Sequence, residues 1–66
     1  MQLSINGKDH AIEKADTVAD VLNHLNIARE RVAVVVNEQV VRRANLESTP
    51  LNEGDVIEII TMVGGG

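Results

Sequence analysis

The sequence predicts a two-layer α+β domain in which a single helix covers one face of a β-sheet. One segment, residues 18–25, carries apolar side chains at the spacing of one helical face, and five short apolar or alternating segments are typical of strands. These elements follow one another in the order β-β-α-β-β-β. One helix can bury the apolar face of a sheet only by lying across it, which gives the two layers.

The chain begins with a predicted hairpin. Apolar and polar residues alternate over residues 2–5, as in a half-buried strand, and Asn6-Gly7 is the strongest short signal for a tight hairpin turn. The second strand is predicted over about residues 10–13, with Ile12 as its contact with the core.

The helix has recognisable signals at both ends. Thr17 and Asp20 have the spacing of a capping box, and Asn26 is suited to a left-handed stop. The apolar stripe consists of Val18, Val21, Leu22 and Leu25. His24 lies off this stripe and has no second ligand in helical register, so we expect it to be solvated rather than to bind a metal.

The next two strands form a second predicted hairpin. Residues 32–36 are apolar throughout, which indicates a strand covered on both faces or one in the middle of the sheet. Asn37 tolerates the positive φ of a tight turn, and residues 39–42 return as a short strand. Arg42 and Arg43 could contact a partner, but charges that protect an exposed sheet edge explain them better.

Residues 55–63 form the last predicted strand, introduced by a Gly54 turn. Alternation places Ile60 and Met62 on the same face as a glutamate, so we expect that face to be partly solvated. Together with Val63, these two residues are candidates for an apolar docking site beside the tail. The alternative is that a loop covers them.

The predicted domain comprises residues 1–63, and the tail comprises Gly64, Gly65 and Gly66. Glycine has no side chain to pack and loses the most entropy on ordering, so we expect a flexible, extended arm that ends in an unhindered carboxylate. Such an arm can enter a tunnel too narrow for any other residue. Taken alone, the glycines are better explained as a frayed terminus without a function, and it is the strand that leads into them that favours a functional arm.

Composition excludes several classes of function. The 66 residues allow one small domain, and the absence of Cys with only two His argues against disulfides and histidine-rich metal sites. There is no aromatic residue on which a base could stack, and the net charge of −4 disfavours nucleic acid and favours a partner with a basic groove.

The sequence also lacks the signs of a membrane protein or an enzyme. Its apolar runs are far shorter than the roughly 20 residues of a membrane span, and its start does not resemble a signal peptide, so we expect a cytoplasmic protein. Ser4 and Ser48 have no neighbouring His and carboxylate partners, and no Cys nucleophile or phosphate-binding loop is present.

Three segments together resemble a known family. The capped helix start at residues 17–22, the strand and turn at 34–38, and residues 54–56 leading into a strand with a glycine tail are similar to the sulfur carriers of thiamine biosynthesis. The resemblance covers the whole chain. It implies a ubiquitin-like β-grasp fold, a mixed sheet of four to five strands whose first and last strands pair in parallel, with the helix packed on one face.

The resemblance also implies a function and partners. An E1-like adenylyltransferase would use ATP to adenylate the terminal carboxylate, a cysteine desulfurase relay would convert it to a thiocarboxylate, and thiazole synthase would consume the sulfur. Gly66 would bear the sulfur, while Gly64 and Gly65 would be recognised as the tail. The chain itself would be a carrier and not an enzyme, would bind no cofactor and would be a monomer when free. The family requires two terminal glycines, so the role of the third is open.

Other functions remain possible from the sequence. The small subunit of molybdopterin synthase resembles this chain in fold and chemistry, but it is usually longer and carries an aromatic residue and prolines ahead of its terminus, which residues 61–63 lack. A ubiquitin-like protein modifier would end in a bond to lysine and would give a ladder of conjugates. A simple interaction module would need no activation.

Overall fold

The computed structural model describes residues 1–62. These residues form five strands, one α-helix and two 3₁₀ turns. In chain order they are β1 (Gln2–Ile5), β2 (Lys8–Ala11), α1 (Val18–His24), a 3₁₀ turn (Arg29–Arg31), β3 (Val32–Val36), β4 (Gln39–Val41), a second 3₁₀ turn (Arg43–Asn45) and β5 (Val56–Thr61). The predicted domain boundary at residue 63 lies outside this range.

All five strands form one mixed sheet in the order β2-β1-β5-β3-β4. The first and last strands pair in parallel, through Ser4 with Val56 and Ile5 with Ile57. The other three pairs of strands are antiparallel. The last strand therefore lies in the centre of the sheet, and the arrangement confirms the predicted β-grasp fold.

A single aliphatic core joins the helix to the sheet. Its members come from the inner face of the sheet, from α1 and from the connecting loops: Leu3, Ile5, Ile12, Ala15, Val18, Ala19, Val21, Leu22, Val32, Val34, Val36, Leu46, Leu51, Ile57 and Ile59. No polar or charged residue is buried among residues 1–62. Hydrophobic burial is thus the principal force that holds the two layers together.

The second strand begins two residues earlier than predicted: β2 spans Lys8–Ala11, and the prediction of residues 10–13 was wrong in its bounds. Asn6 and Gly7 have φ values of 52° and 81°. Two successive positive φ angles form a tight two-residue turn, so β2 begins directly after it. Ile12 follows the strand and is only 2% exposed, as predicted for a core contact.

β3 is hydrogen-bonded on both edges but is not covered on both faces. Val32, Val34 and Val36 are buried, whereas Ala33 and Val35 are half-buried on the opposite face. The uninterrupted apolar run therefore reflects an internal position in the sheet. The predicted turn after β3 is confirmed, since Asn37 has a φ of 49°.

The helix begins with the predicted capping box. The Thr17 hydroxyl accepts a hydrogen bond from the Asp20 N–H at 3.4 Å, and Asp20 Oδ2 accepts from the N–H groups of Asp16 at 2.9 Å and Thr17 at 3.0 Å. These backbone donors hold the pKa of the Asp20 carboxyl below its ordinary value. Asn26 ends the helical region with a φ of 59°.

The charge on Asp20 should make part of the stability depend on pH. Because its pKa is lower in the folded than in the unfolded chain, the stabilisation is present above the unfolded pKa and is lost as the pH falls through the folded value. An Asp20→Asn variant should melt below the wild-type chain at neutral pH, and this difference in Tm should shrink below about pH 4. Thermal melts from pH 2 to 7 followed by circular dichroism measure it; a difference in Tm that does not change with pH would contradict the assignment.

Candidate functional site

The strand that leads to the glycine tail is held on both sides. Ile57 and Ile59 of β5 point into the core and are 0% and 9% exposed. On one edge β5 pairs with β1, and on the other it pairs with β3 over five residue pairs from Val32–Thr61 to Val36–Ile57. The Met62 N–H continues this second pairing by donating to the Arg31 carbonyl at 2.8 Å. Met62, which we call the root of the tail, is therefore still hydrogen-bonded to the chain segment that leads into β3.

On the face of the sheet opposite the helix, β3, β4 and β5 carry mostly apolar side chains that are open to solvent, whereas Ser4 and Asp9 lie on this face in β1 and β2. We call the mostly apolar part the open sheet face, and its members are Ala33, Val35, Val40, Val56, Glu58, Ile60 and Met62. The register sets Val35 between Val40 and Glu58, and sets Ala33 opposite Ile60. Side chains in such pairs lie about 5 Å apart and form a continuous surface.

Two of the predicted docking residues lie at one end of this face. Ile60 is 51% exposed and Met62 is 48% exposed, so no loop among residues 1–62 covers them. Exposed apolar residues that cluster in this way mark interaction sites more often than isolated ones do. The other predicted site residues, Val63, Gly64, Gly65 and Gly66, lie outside the described residues.

Two asparagine side chains, which the sequence predicted only as turn residues, complete the hydrogen bonding of β5. Asn6 Oδ1 accepts a hydrogen bond from the Ile59 N–H at 2.8 Å, and Asn6 Nδ2 donates to the Ile59 carbonyl at 3.3 Å. Near the start of the strand, Asn37 Oδ1 accepts from the Val56 N–H at 2.9 Å. The sequence signal is an asparagine at a turn position directly after a strand, which predicts the turn but not the partner of the side chain in β5.

The two arginines considered as partner contacts follow the edge strand β4. Both are exposed, and Arg43 Nη2 donates to the Glu30 carbonyl at 3.3 Å within the same chain. Across the described part of the chain there is no group of three or more His, Cys, Asp or Glu residues that could hold a metal ion. Residues 1–62 likewise contain no helix long and apolar enough to cross a membrane.

In residues 1–62, the mixed sheet with one helix packed on one face and an exposed apolar surface on the other defines a small ubiquitin-like β-grasp protein. The profile of the ThiS family matches residues 3–66, and the chain belongs to this family. A crystal structure of a thiamine biosynthesis protein (ThiS) from Geobacter metallireducens superposes with a TM-score of 0.84 at 33% sequence identity and covers all of both chains.

Two relatives differ in how much of their length this chain spans. The sulfur carrier protein ThiS of Bacillus subtilis is 34% identical over 65 residues, which is 97% of this chain and 98% of that protein. A thiazole synthase of Magnetococcus marinus is 38% identical over all 66 residues, but the chain spans only 20% of that protein. The region similar to this chain is thus a small part of the larger polypeptide.

Proposed function

We propose that this chain is a sulfur carrier of thiamine biosynthesis and that it holds sulfur as a thiocarboxylate at Gly66. The observation that carries the proposal is membership in the ThiS family through a match that extends to Gly66. The similarity to the Bacillus subtilis sulfur carrier over nearly the full length of both chains supports it further. The same evidence favours the thiamine carrier over the molybdopterin synthase subunit that resembles it.

The chemistry begins at a carboxylate, which is a poor acyl electrophile. In the proposed first step, a Gly66 carboxylate oxygen attacks the α-phosphorus of ATP, pyrophosphate leaves, and an acyl adenylate forms. A sulfur nucleophile delivered by a cysteine desulfurase relay then attacks the acyl carbon and displaces AMP. With a cysteine persulfide as the donor, this attack gives an acyl disulfide. A second thiol then attacks the donor cysteine's sulfur, becomes disulfide-bonded to it and leaves the chain with a terminal thiocarboxylate, a stronger nucleophile than the original carboxylate.

The chain's own contribution is presentation and not catalysis. An E1-like adenylyltransferase would bind the ATP and catalyse the adenylyl transfer to the carboxylate and the acyl transfer to sulfur, and the carrier would be its co-substrate. The three glycines would supply a backbone without side chains, which suits a narrow tunnel to the nucleotide. β5, buried on one face and hydrogen-bonded on both edges, would fix the point from which this tail departs.

Thiazole synthase is the proposed acceptor of the sulfur. Support comes from the Magnetococcus marinus thiazole synthase, which contains a region similar to the whole of this chain. A carrier region within the same polypeptide raises the effective concentration of the carrier at its acceptor. The separate chain would have to reach thiazole synthase through a docking surface.

The Met62 end of the open sheet face is the proposed docking surface for the adenylyltransferase. It combines exposed apolar side chains with the neighbouring Glu58, and the chain carries a net charge of −4. An apolar centre with acidic surroundings fits a partner surface that is apolar and edged with basic residues.

Met62→Asp should weaken the complex with the adenylyltransferase by about tenfold or more, because a charge would replace an apolar contact in the interface. The Tm should change little, since Met62 is already 48% exposed. Val56→Asp is the matched control, because Val56 has the same exposure and lies on the same face, but at the start of β5, whereas Met62 directly follows the end of this strand. Isothermal titration calorimetry and thermal melts give both quantities.

The outcomes of this comparison are distinct. Weaker binding by both variants would extend the docking surface over the whole open sheet face. Unchanged binding by Met62→Asp would remove Met62 from the interface, and a large loss of Tm would make it a core residue instead.

The proposed sulfur-carrier function is tested by measuring the mass of the intact chain. The chain is incubated with the adenylyltransferase, ATP and a sulfur source, and mass spectrometry should show the increase expected for replacement of one oxygen by sulfur. A ladder of lysine conjugates in cell extract would point to a protein modifier. An unchanged mass would contradict the sulfur-carrier proposal.

A further inference from the structure

β1 is too short to accompany β5 along its whole length. The two strands pair only through Ser4–Val56 and Ile5–Ile57, because the hairpin turn begins at Asn6. The Asn6 N–H still donates to the Ile57 carbonyl at 2.9 Å, after which the backbone of the turn leaves the sheet. Ile59, the next residue of β5 that faces this edge, is left without a backbone partner there.

The Asn6 side chain takes the place of the missing strand. Its amide oxygen accepts from the Ile59 N–H at 2.8 Å, and its amide nitrogen donates to the Ile59 carbonyl at 3.3 Å. A primary amide carries the same donor and acceptor as a peptide group, so one side chain satisfies both groups of Ile59. Both hydrogen bonds are partly buried, which protects them from competition with water.

We propose that Asn6 is a positioning residue for the sulfur-carrying tail, an inference that rests on the proposed function. Ile59 precedes Met62 by only three residues, and the Asn6 amide is the partner that holds this part of β5 on the β1 side. Without it, the C-terminal half of β5 would be bonded along one edge only. The strand would then deliver the terminal carboxylate to the adenylyltransferase over a wider range of positions.

Asn37 provides an internal control of the same chemistry. It occupies a turn position with a φ of 49°, and its side chain bonds to the Val56 N–H at 2.9 Å and to Asp55 Oδ1 at 3.0 Å. It therefore ties down the start of β5, at the end remote from the tail. Loss of either asparagine side chain should weaken the sheet, but only loss of Asn6 should loosen the root of the tail.

The test compares Asn6→Gly with Asn37→Gly. Glycine accepts the positive φ of both turns and removes only the side-chain hydrogen bonds. In Asn6→Gly, amide hydrogen exchange should accelerate at Ile59, and in Asn37→Gly it should accelerate at Val56. With the chain as the varied substrate of the adenylyltransferase, Asn6→Gly should lower kcat by about tenfold, since small misplacements of reacting groups are costly. Its KM should stay unchanged, and Asn37→Gly should keep both constants close to wild type.

Equal kcat values for the two glycine variants, with an active wild-type chain, would overturn the positioning role and leave Asn6 a structural residue. Failure of the wild-type chain to form adenylate would instead overturn the proposed function, and the exchange rates would still report whether Asn6 holds Ile59. Should Asn6→Gly not fold, Asn6→Asp replaces it: the carboxylate can still accept from Ile59 N–H but cannot donate to its carbonyl. Amide exchange at Ile59 is then measured beside kcat, and faster exchange together with a normal kcat would overturn the inference.

Discussion

Removal of Gly66 should slow adenylate formation by about 100-fold, although the shortened chain would still end in two glycines with a free carboxylate. The reason is distance. One extended residue spans about 3.5 Å, and a misplacement of about 1 Å can already cost on the order of 100-fold in rate. Binding to the adenylyltransferase should be retained, because the proposed docking residues Ile60 and Met62 are unchanged.

An alanine added after Gly66 is the complementary variant. It should also react slowly, because the carboxylate would overshoot and a methyl group would enter a tunnel sized for glycine. Single-turnover adenylation and intact mass after sulfur transfer measure both variants, with Kd from calorimetry as the control for docking. Normal thiocarboxylate formation by the shortened chain would show that the third glycine is only a spacer.

Val34→Asp should unfold the protein, whereas Val35→Asp should leave it folded. Val34 is 1% exposed within the core, and Val35 is half-buried on the open sheet face. A buried unpaired carboxylate costs about 4 kcal/mol or more. At 0.05–0.15 kcal/mol per residue, a domain of this size has only about 3 to 10 kcal/mol of stability in total.

The pair is well matched because the two valines are adjacent in the same strand. Far-ultraviolet circular dichroism and urea titration distinguish the variants, and Val35→Asp controls for the effect of an acidic residue on strand propensity and net charge. A folded Val34→Asp chain would contradict the assignment of this residue to the inner face of the sheet.

Local signals in the sequence were sufficient to predict the elements that are formed by neighbouring residues. Thr17 and Asp20 identified the helix start because a capping box is formed within four residues. The turns at Asn6 and Asn37 were found for the same reason, since the positive φ values there suit asparagine. Alternation also predicted correctly that Ile60 would be exposed.

Local signals could not predict the features that depend on contacts between distant segments of the chain. Periodicity could not show that β1 and β5 are neighbours, and the parallel pairing came only from the resemblance to a family. It also could not show that β3 is covered on one face alone, because an internal strand and a strand covered on both faces are equally apolar. The bond between Asn6 and Ile59 joins residues 53 positions apart, and nothing local to either residue reveals it.

The central position of β5 also determines when the protein can fold as it is synthesised. Among the strands of residues 1–62, only β5 joins the β1–β2 hairpin to the β3–β4 hairpin in the sheet, and an isolated hairpin is at best marginally stable in water. A nascent chain on the ribosome therefore has no stable sheet until β5 has left the exit tunnel. Chains terminated before Ile57 should stay unfolded and be degraded. Truncated chains that lack β5 and the glycines should therefore not accumulate in a folded form, and they should not occupy the binding site of a partner.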